Sequence, residues 1–353
     1  MRCTKKVYKP FWCIFLFGRF GFLLLFTIYE PDFLFFVNFE VETYNKKNKG
    51  GGVLMKICGA VTALVTPFTK NGGIHYDKLT ELIEFQIANG ADGIVLLGTT
   101  GEAPTITEKE TEQVIRTGVE AAAGRIPVIV GCGCNDTLRA VEKCKRAQAF
   151  GADALLVLTP YYNKANSDGM AAHFLTIAEA VQTPVILYNV PSRTGCSISM
   201  GTLERLREHP QIIGIKEASG NITYMTEAAS LLRDDFVMWS GNDDMTVAAM
   251  ALGACGVISV AANILPYAMH EMTEKCLKGD FSSARTLQLR YLPLMRALFS
   301  DVNPIPIKEA MNYLGFDVGG YRLPLCGMNE SLKNRLIMEI EQLEDIVWKK
   351  GIS

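Results

Sequence analysis

Apolar runs of four to six residues recur along most of the chain, at Ala60–Val65, Gly93–Leu97, Pro127–Val130, Ala154–Leu158, Pro184–Tyr188, Ile212–Lys216, Phe236–Trp239 and Gly256–Val260. Strands that are hydrophobic on both faces are a mark of buried parallel sheet. Between these runs the period becomes that of a helix. Leu79, Leu82, Ile83 and Ile87, for example, share one face at i, i+3, i+4 and i+8. Thr107-Glu108-Lys109-Glu110 is a capping box opening the second helical segment. Gly90-Ala91-Asp92 and Gly151-Ala152-Asp153 each end a helix on glycine and lead into a strand. Eight such units predict a (β/α)8 TIM barrel, which needs about 250 residues, rather than an open doubly wound sheet. No Gly-x-Gly-x-x-Gly follows the first run, so a dinucleotide fold is unsupported. After residue 280 the strand-like runs stop. Periodic segments around 283–299, 304–313 and 330–348 predict a small helical C-terminal domain, giving a barrel over 55–279 and a helical domain over 280–353.

Residues 1–54 follow a different pattern. Ten of the 18 phenylalanines precede residue 40, and the apolar stretch from Phe11 to Phe39 is broken by Arg19, Glu30 and Asp32. Its longest clean piece, Phe20–Tyr29, is about half the ~20 residues that span a bilayer. Basic residues ahead of it suit a signal peptide, but no small-x-small cleavage site follows cleanly. Lys49-Gly50-Gly51-Gly52-Val53-Leu54-Met55 back-translates to a purine-rich, G-rich stretch just before a start codon. Translation is therefore expected to begin at Met55, with residues 1–54 an extension outside the native protein.

Composition narrows the function classes. A net charge of −2 gives no electrostatic footprint for nucleic acid or an acidic membrane surface. The 10 cysteines lack zinc spacing, since Cys132 and Cys134 sit too close for a C-x-x-C site, and the four histidines are scattered, so no metal is expected. Reduced, mostly buried thiols fit a cytoplasmic protein.

In a barrel, chemistry gathers at the C-terminal ends of the strands. Those ends read Thr66-Pro67, Gly98-Thr99-Thr100-Gly101-Glu102, Gly131, Thr159-Pro160-Tyr161-Tyr162, Tyr188-Asn189, Lys216-Glu217, Gly241-Asn242 and Ser259. Lys216 closing an apolar run is the unusual feature. Burying an isolated ammonium is costly, and burial favours the neutral amine, which can attack a carbonyl and form a Schiff base. The ordinary alternative is an ion pair with Glu217 or a loop carboxylate. Gly98-Thr99-Thr100-Gly101 offers backbone N–H groups beside two hydroxyls, suited to a small carboxylate, although such a turn is more often only a tight loop. Tyr188 could equally be a core tyrosine. Arg193, in a loop flanked by Pro191 and Gly195, suits bidentate capture of a carboxylate.

With these residues placed, the sequence from 56 to about 350 resembles the dihydrodipicolinate synthase family of class I, Schiff-base pyruvate aldolases. The resemblance rests on Gly-Thr-Thr-Gly-Glu at 98–102, Tyr-Tyr-Asn at 161–163, Tyr-Asn-Val-Pro-Ser-Arg-Thr-Gly at 188–195 and Ile-Lys-Glu-Ala at 215–218. It implies that Lys216 forms a Schiff base with pyruvate and that the enamine attacks L-aspartate 4-semialdehyde. It also implies that Tyr188 carries protons and that Thr100 and Tyr162 extend a hydroxyl relay, Tyr162 reaching in from a neighbouring subunit. Thr99 and Thr100 would hold the pyruvate carboxylate and Arg193 that of the second substrate, with Gly241 and Ile258 lining the pocket by backbone. No cofactor is implied, and the assembly implied is a homotetramer, a dimer of dimers, acting in lysine and diaminopimelate biosynthesis.

One pattern departs from the family. Lysine-inhibited members bind lysine near positions matching Ala103, Glu108, Asn135, Arg139 and Tyr161, where an acidic residue faces the inhibitor's ammonium. Arg139 stands in that place, so lysine feedback is expected to be absent. Two rival readings are kept. One is a Schiff-base aldolase or lyase of the same barrel acting on a sugar acid; such relatives generally lack the Ser-Arg-Thr-Gly loop. The other is a catalytically silent barrel held at a membrane by residues 11–37.

Overall fold

The computed structural model describes residues 57–343. The predicted extension over 1–54 and the end of the last predicted helix lie outside the described residues. The eight strands are β1 Gly59–Ala63, β2 Gly93–Leu96, β3 Val128–Gly131, β4 Ala154–Leu158, β5 Val185–Asn189, β6 Ile212–Glu217, β7 Val237–Ser240 and β8 Gly256–Ser259. Each lies within two residues of its predicted run. They pair in parallel in chain order, and β8 returns to β1 through Gly59 opposite Gly256, closing the barrel.

The local signals act as expected. Thr107 Oγ1 accepts the backbone N–H of Glu110 at 3.3 Å, and Glu110 Oε2 accepts that of Thr107 at 2.9 Å, fixing the start of helix Glu108–Ala122. The repeated Gly-Ala-Asp has a second use. The Asp92 carboxylate accepts the N–H of Ala60 at 2.7 Å, and Asp153 that of Val128 at 2.8 Å. Each aspartate thus satisfies an N–H at the entry of the preceding strand, where an unpaired donor would be costly.

Residues alternate between two cores. Val61, Val95, Ile129, Leu156, Ile186, Tyr188, Ile213, Trp239 and Ile258 fill the barrel interior. The intervening residues pack outward beneath the helices. Register places Lys216 between Tyr188 on β5 and Trp239 on β7, so its side chain shares their inward face. A floor lies below it. Trp239 is fully buried, and its indole N–H donates to the carbonyl of Ile57 at 2.7 Å. A Cβ at Gly214, two residues before the lysine, would come within 2.9 Å of the Trp239 ring. The absence of a side chain there is what lets the indole fit.

After the barrel come helices Phe281–Ala297, Ile305–Tyr313 and Glu330–Glu341. Among the described residues, no helix is long and apolar enough to cross a membrane.

Candidate active site

Two adjacent dipeptides, Tyr188-Asn189 on β5 and Lys216-Glu217 on β6, divide their work by the period of the strand. The outward pair locks the strand ends together. Asn189 Nδ2 donates to Glu217 Oε2 at 2.6 Å, and Asn189 Oδ1 accepts the N–H of Ile198 at 3.1 Å. The N–H of Ser219 donates to Glu217 Oε1 at 2.6 Å. Burial raises the Glu217 carboxyl above its ordinary value, opposed by the bonds from Ser219 and Asn189. The ion pair that would make Lys216 an ordinary residue does not form, because Glu217 faces the other way and its oxygens are occupied.

The inward pair faces the barrel interior. Lys216 is 6% exposed, and its Nζ sits 4.5 Å from the centroid of the Tyr188 ring, itself 7% exposed. Both residues open onto the mouth of the barrel, where Gly241 follows β7. A Cβ at Gly241 would lie 2.5 Å from the Cβ of Ala218 and 3.0 Å from Cε of Lys216. Any side chain at that position would therefore displace the lysine stem. Ile258 on β8, fully buried, completes the wall beside Val61.

The Thr99-Thr100 turn follows β2. Thr66, beyond β1, donates its hydroxyl to the carbonyl of Gly101 at 2.7 Å and pins the turn from the neighbouring strand end. Thr100 is 2% exposed, whereas Thr99 is half-buried. Arg193 occupies one helical turn, Pro191–Thr194, rather than the predicted open loop; Gly195 ends the turn at φ 71°. Proline at the first position and glycine after the last make so short a turn feasible. Arg193 is exposed, and its Nη2 donates to the carbonyl of Asn303 at 3.1 Å. Lys216, Tyr188, Gly241 and Ile258 are thus brought together within the chain. Tyr162 is not joined to them. It is 92% exposed and held at φ 69°, a conformation that costs a non-glycine residue of order 1–3 kcal/mol.

Three groups were not found from the sequence. Asp243, two residues past Gly241, is buried and accepts the N–H groups of Val260 at 3.1 Å and Ala261 at 2.9 Å. Burial raises its carboxyl, opposed first by the hydrogen bonds from Ser259, Ala261 and Val260 and last by the charge of Lys216. The available signal was an acidic residue just past a strand end. Lys308, from the C-terminal helices, donates to Glu102 at 2.6 Å and to the carbonyl of Gly320 at 2.7 Å, with neither side chain of the pair reaching solvent. Burial pushes the Lys308 ammonium down to about 8, against the pull of Glu102. Asn303 donates its amide to Thr100 Oγ1 at 3.0 Å. Nothing local in the sequence ties residues 303 or 308 to a turn 200 positions earlier.

Residues 56–343 match the model of the Dihydrodipicolinate synthetase family. The chain belongs to this family. A 4-hydroxy-tetrahydrodipicolinate synthase of Thermoanaerobacter sp. (strain X514) is 49% identical over 295 residues, covering 83% of this chain and 97% of the relative. That of Acetivibrio thermocellus is 51% identical over 272 residues, 77% of this chain and 92% of its own. The crystal structure of dihydrodipicolinate synthase from Aquifex aeolicus superposes with a TM-score of 0.79 at 42% identity, covering 81% of this chain and 97% of that one. The sequence resemblance and the barrel expectation are both borne out. The family's synthase activity also answers the silent-barrel reading.

Proposed function

We propose that the chain is a lyase, a 4-hydroxy-tetrahydrodipicolinate synthase that condenses pyruvate with L-aspartate 4-semialdehyde in lysine and diaminopimelate biosynthesis. The observation that carries the mechanism is Lys216, buried at the barrel mouth over the face of Tyr188 and, among the described residues, in no salt bridge. Its amine attacks the keto carbon of pyruvate, the oxygen leaves as water, and an imine forms. Loss of a methyl proton gives the enamine, whose carbon bonds to the aldehyde carbon while the aldehyde oxygen takes up a proton. Tyr188, with Thr100 and Tyr162, is assigned to move these protons, a task that general acid–base groups perform with a gain of typically 10²–10⁴-fold. Thr99 and Thr100 are assigned to the pyruvate carboxylate, with Gly241 and Ile258 lining its pocket.

Arg193 is assigned to the carboxylate of the semialdehyde, and this separates the synthase from a sugar-acid aldolase. Arg193→Ala should leave pyruvate adduct formation intact and weaken use of the semialdehyde by roughly 10- to 150-fold, the loss of one charge-assisted contact. Steady-state kinetics with each substrate varied in turn would show it. Unchanged kinetics for the semialdehyde would favour the sugar-acid reading.

The exposed Tyr162 supports a site completed by a second copy. Leu138 (72% exposed), at the start of helix Thr137–Ala149, and Tyr161 (38%) and Tyr162 (92%), on the loop after β4, are large apolar side chains left exposed. The loops after β3 and β4 are tied together by Asn163 Nδ2 donating to the carbonyl of Asn135 at 2.9 Å. Such exposed apolar surface invites a partner, and a dimer of dimers is proposed. Sedimentation at micromolar concentration should find no single-chain species; a monomer active at that concentration would remove this reading.

Insensitivity to lysine is also proposed. Arg139 is exposed at the start of helix Thr137–Ala149, and Glu108, the acidic residue nearest in role, is engaged by Arg146 at 2.7 Å instead. A bound lysine would set its ammonium against the Arg139 guanidinium, a repulsion sufficient for a loss of affinity of roughly tenfold or more. Titrating lysine to millimolar levels in the condensation assay should produce no saturable inhibition; strong inhibition would refute the assignment.

A further inference from the structure

Asn303 lies between helices Phe281–Ala297 and Ile305–Tyr313, outside the eight strand–helix repeats, and is 6% exposed. It touches both proposed substrate arms by different parts of itself. Its side-chain Nδ2 donates to Thr100 Oγ1, and its main-chain carbonyl accepts from Arg193 Nη2. Its Oδ1 has no hydrogen-bond partner.

A threonine hydroxyl has one proton and two lone pairs. With the Asn303 amide occupying one lone pair, the Thr100 proton is turned away from Asn303. Among the described residues, Thr100 Oγ1 receives this bond and donates none. The proton is therefore left for a ligand. In the reverse amide orientation Oδ1 would accept the Thr100 proton, leaving no hydroxyl proton for substrate.

We propose that Asn303 is a positioning residue for the pyruvate half of the reaction: its amide orients the Thr100 hydroxyl as a donor toward the pyruvate carboxylate, while its backbone alone holds Arg193. This rests on the assignment of Thr100 to the pyruvate carboxylate, not on its place in the hydroxyl relay, and on the assignment of Arg193 made above. It separates the two arms, because a change of the 303 side chain leaves the carbonyl that Arg193 uses.

Asn303→Ala frees the Thr100 hydroxyl to rotate. Asn303→Asp goes further, since a carboxylate accepts the Thr100 proton and adds negative charge near the substrate's own. In the full chain, Asn303→Ala should raise KM for pyruvate about fivefold to tenfold. Asn303→Asp should raise it by about tenfold more, and KM for the semialdehyde should move less than about twofold in both. Thr100→Val removes the other end of the bond, and adding Asn303→Ala to it should cost little more, since coupled residues are not additive. An unchanged pyruvate KM in Asn303→Ala, wild-type behaviour of Asn303→Asp, additive losses in the double variant, or equal rises in both KM values would overturn the proposal. If Asn303→Ala fails to fold, Thr100→Val and Asn303→Asp carry the same comparison. Borohydride trapping of pyruvate on the wild-type chain is the separate control: failure to label Lys216 there sinks the underlying mechanism, whatever Asn303 does.

Discussion

Pyruvate and borohydride together should add one reduced adduct per chain, at Lys216, and Lys216→Ala should acquire none. The side chain that would compete for this lysine, Glu217, is turned to the opposite face and bonded to Asn189 and Ser219. Around Nζ lie the ring of Tyr188 and the open slot left by Gly241, with the buried Asp243 near enough to feel its charge. Its removal should cost far more activity than stability. The expected fall in condensation rate is on the order of 10⁴–10⁶-fold, the scale seen when an enzyme's nucleophile is deleted. Peptide mass spectrometry locates the label, and a coupled assay gives the rate. Label on any other lysine, or appreciable turnover by the alanine variant, would refute the Schiff-base mechanism.

The second large effect is on stability. Lys308→Met should lower unfolding free energy by about 3–5 kcal/mol, because it strands the Glu102 carboxylate in the interior without its cation. The pair is fully enclosed and makes further contacts. Nζ also donates to Gly320 and lies 4.1 Å from the Phe68 ring centroid, and Glu102 Oε2 accepts the N–H of Arg322 at 3.3 Å. The melting temperature should fall by roughly 10 °C for a domain of this size. Replacing both partners, Glu102→Gln with Lys308→Met, should recover at least half of the loss, since a buried pair exchanged for neutral groups is often close to neutral in stability. A single variant that melts with the wild type would show that the pair is not enclosed as described.

The contrast between these two sites explains what could be read in the chain beforehand. The strands were legible because burial on both faces leaves unbroken apolar runs, and every predicted run lies within two residues of an observed strand. Lys216 and Tyr188 were legible as neighbours because barrel topology puts consecutive strand ends side by side. Which of Lys216 and Glu217 faces inward depends on a register of one residue, which an apolar run does not reveal. Asp243, Asn303 and Lys308 were hidden for a different reason. Each is a polar residue whose partner lies far away in sequence, and periodicity reports only on near neighbours. Lys308 in particular sits in a helix whose pattern gives no warning that an ammonium is fully enclosed. The single helical turn around Arg193 was missed because four residues are too few to show a period.

The hold that residue 303 has on both Thr100 and Arg193 has a consequence for how such an enzyme diverges. In a barrel, the strand-end loops are the usual place where new specificities arise, and each change there risks the chemistry itself. Here two of the groups proposed to select substrates answer to a segment that carries no part of the reaction. Drift in the C-terminal helices can shift an amide or a carbonyl by a fraction of an ångström and so alter the relative preference for the two substrates, with every strand end conserved. Two homologues with identical catalytic rims need not share a kinetic phenotype, and comparisons confined to the rim would overlook the cause.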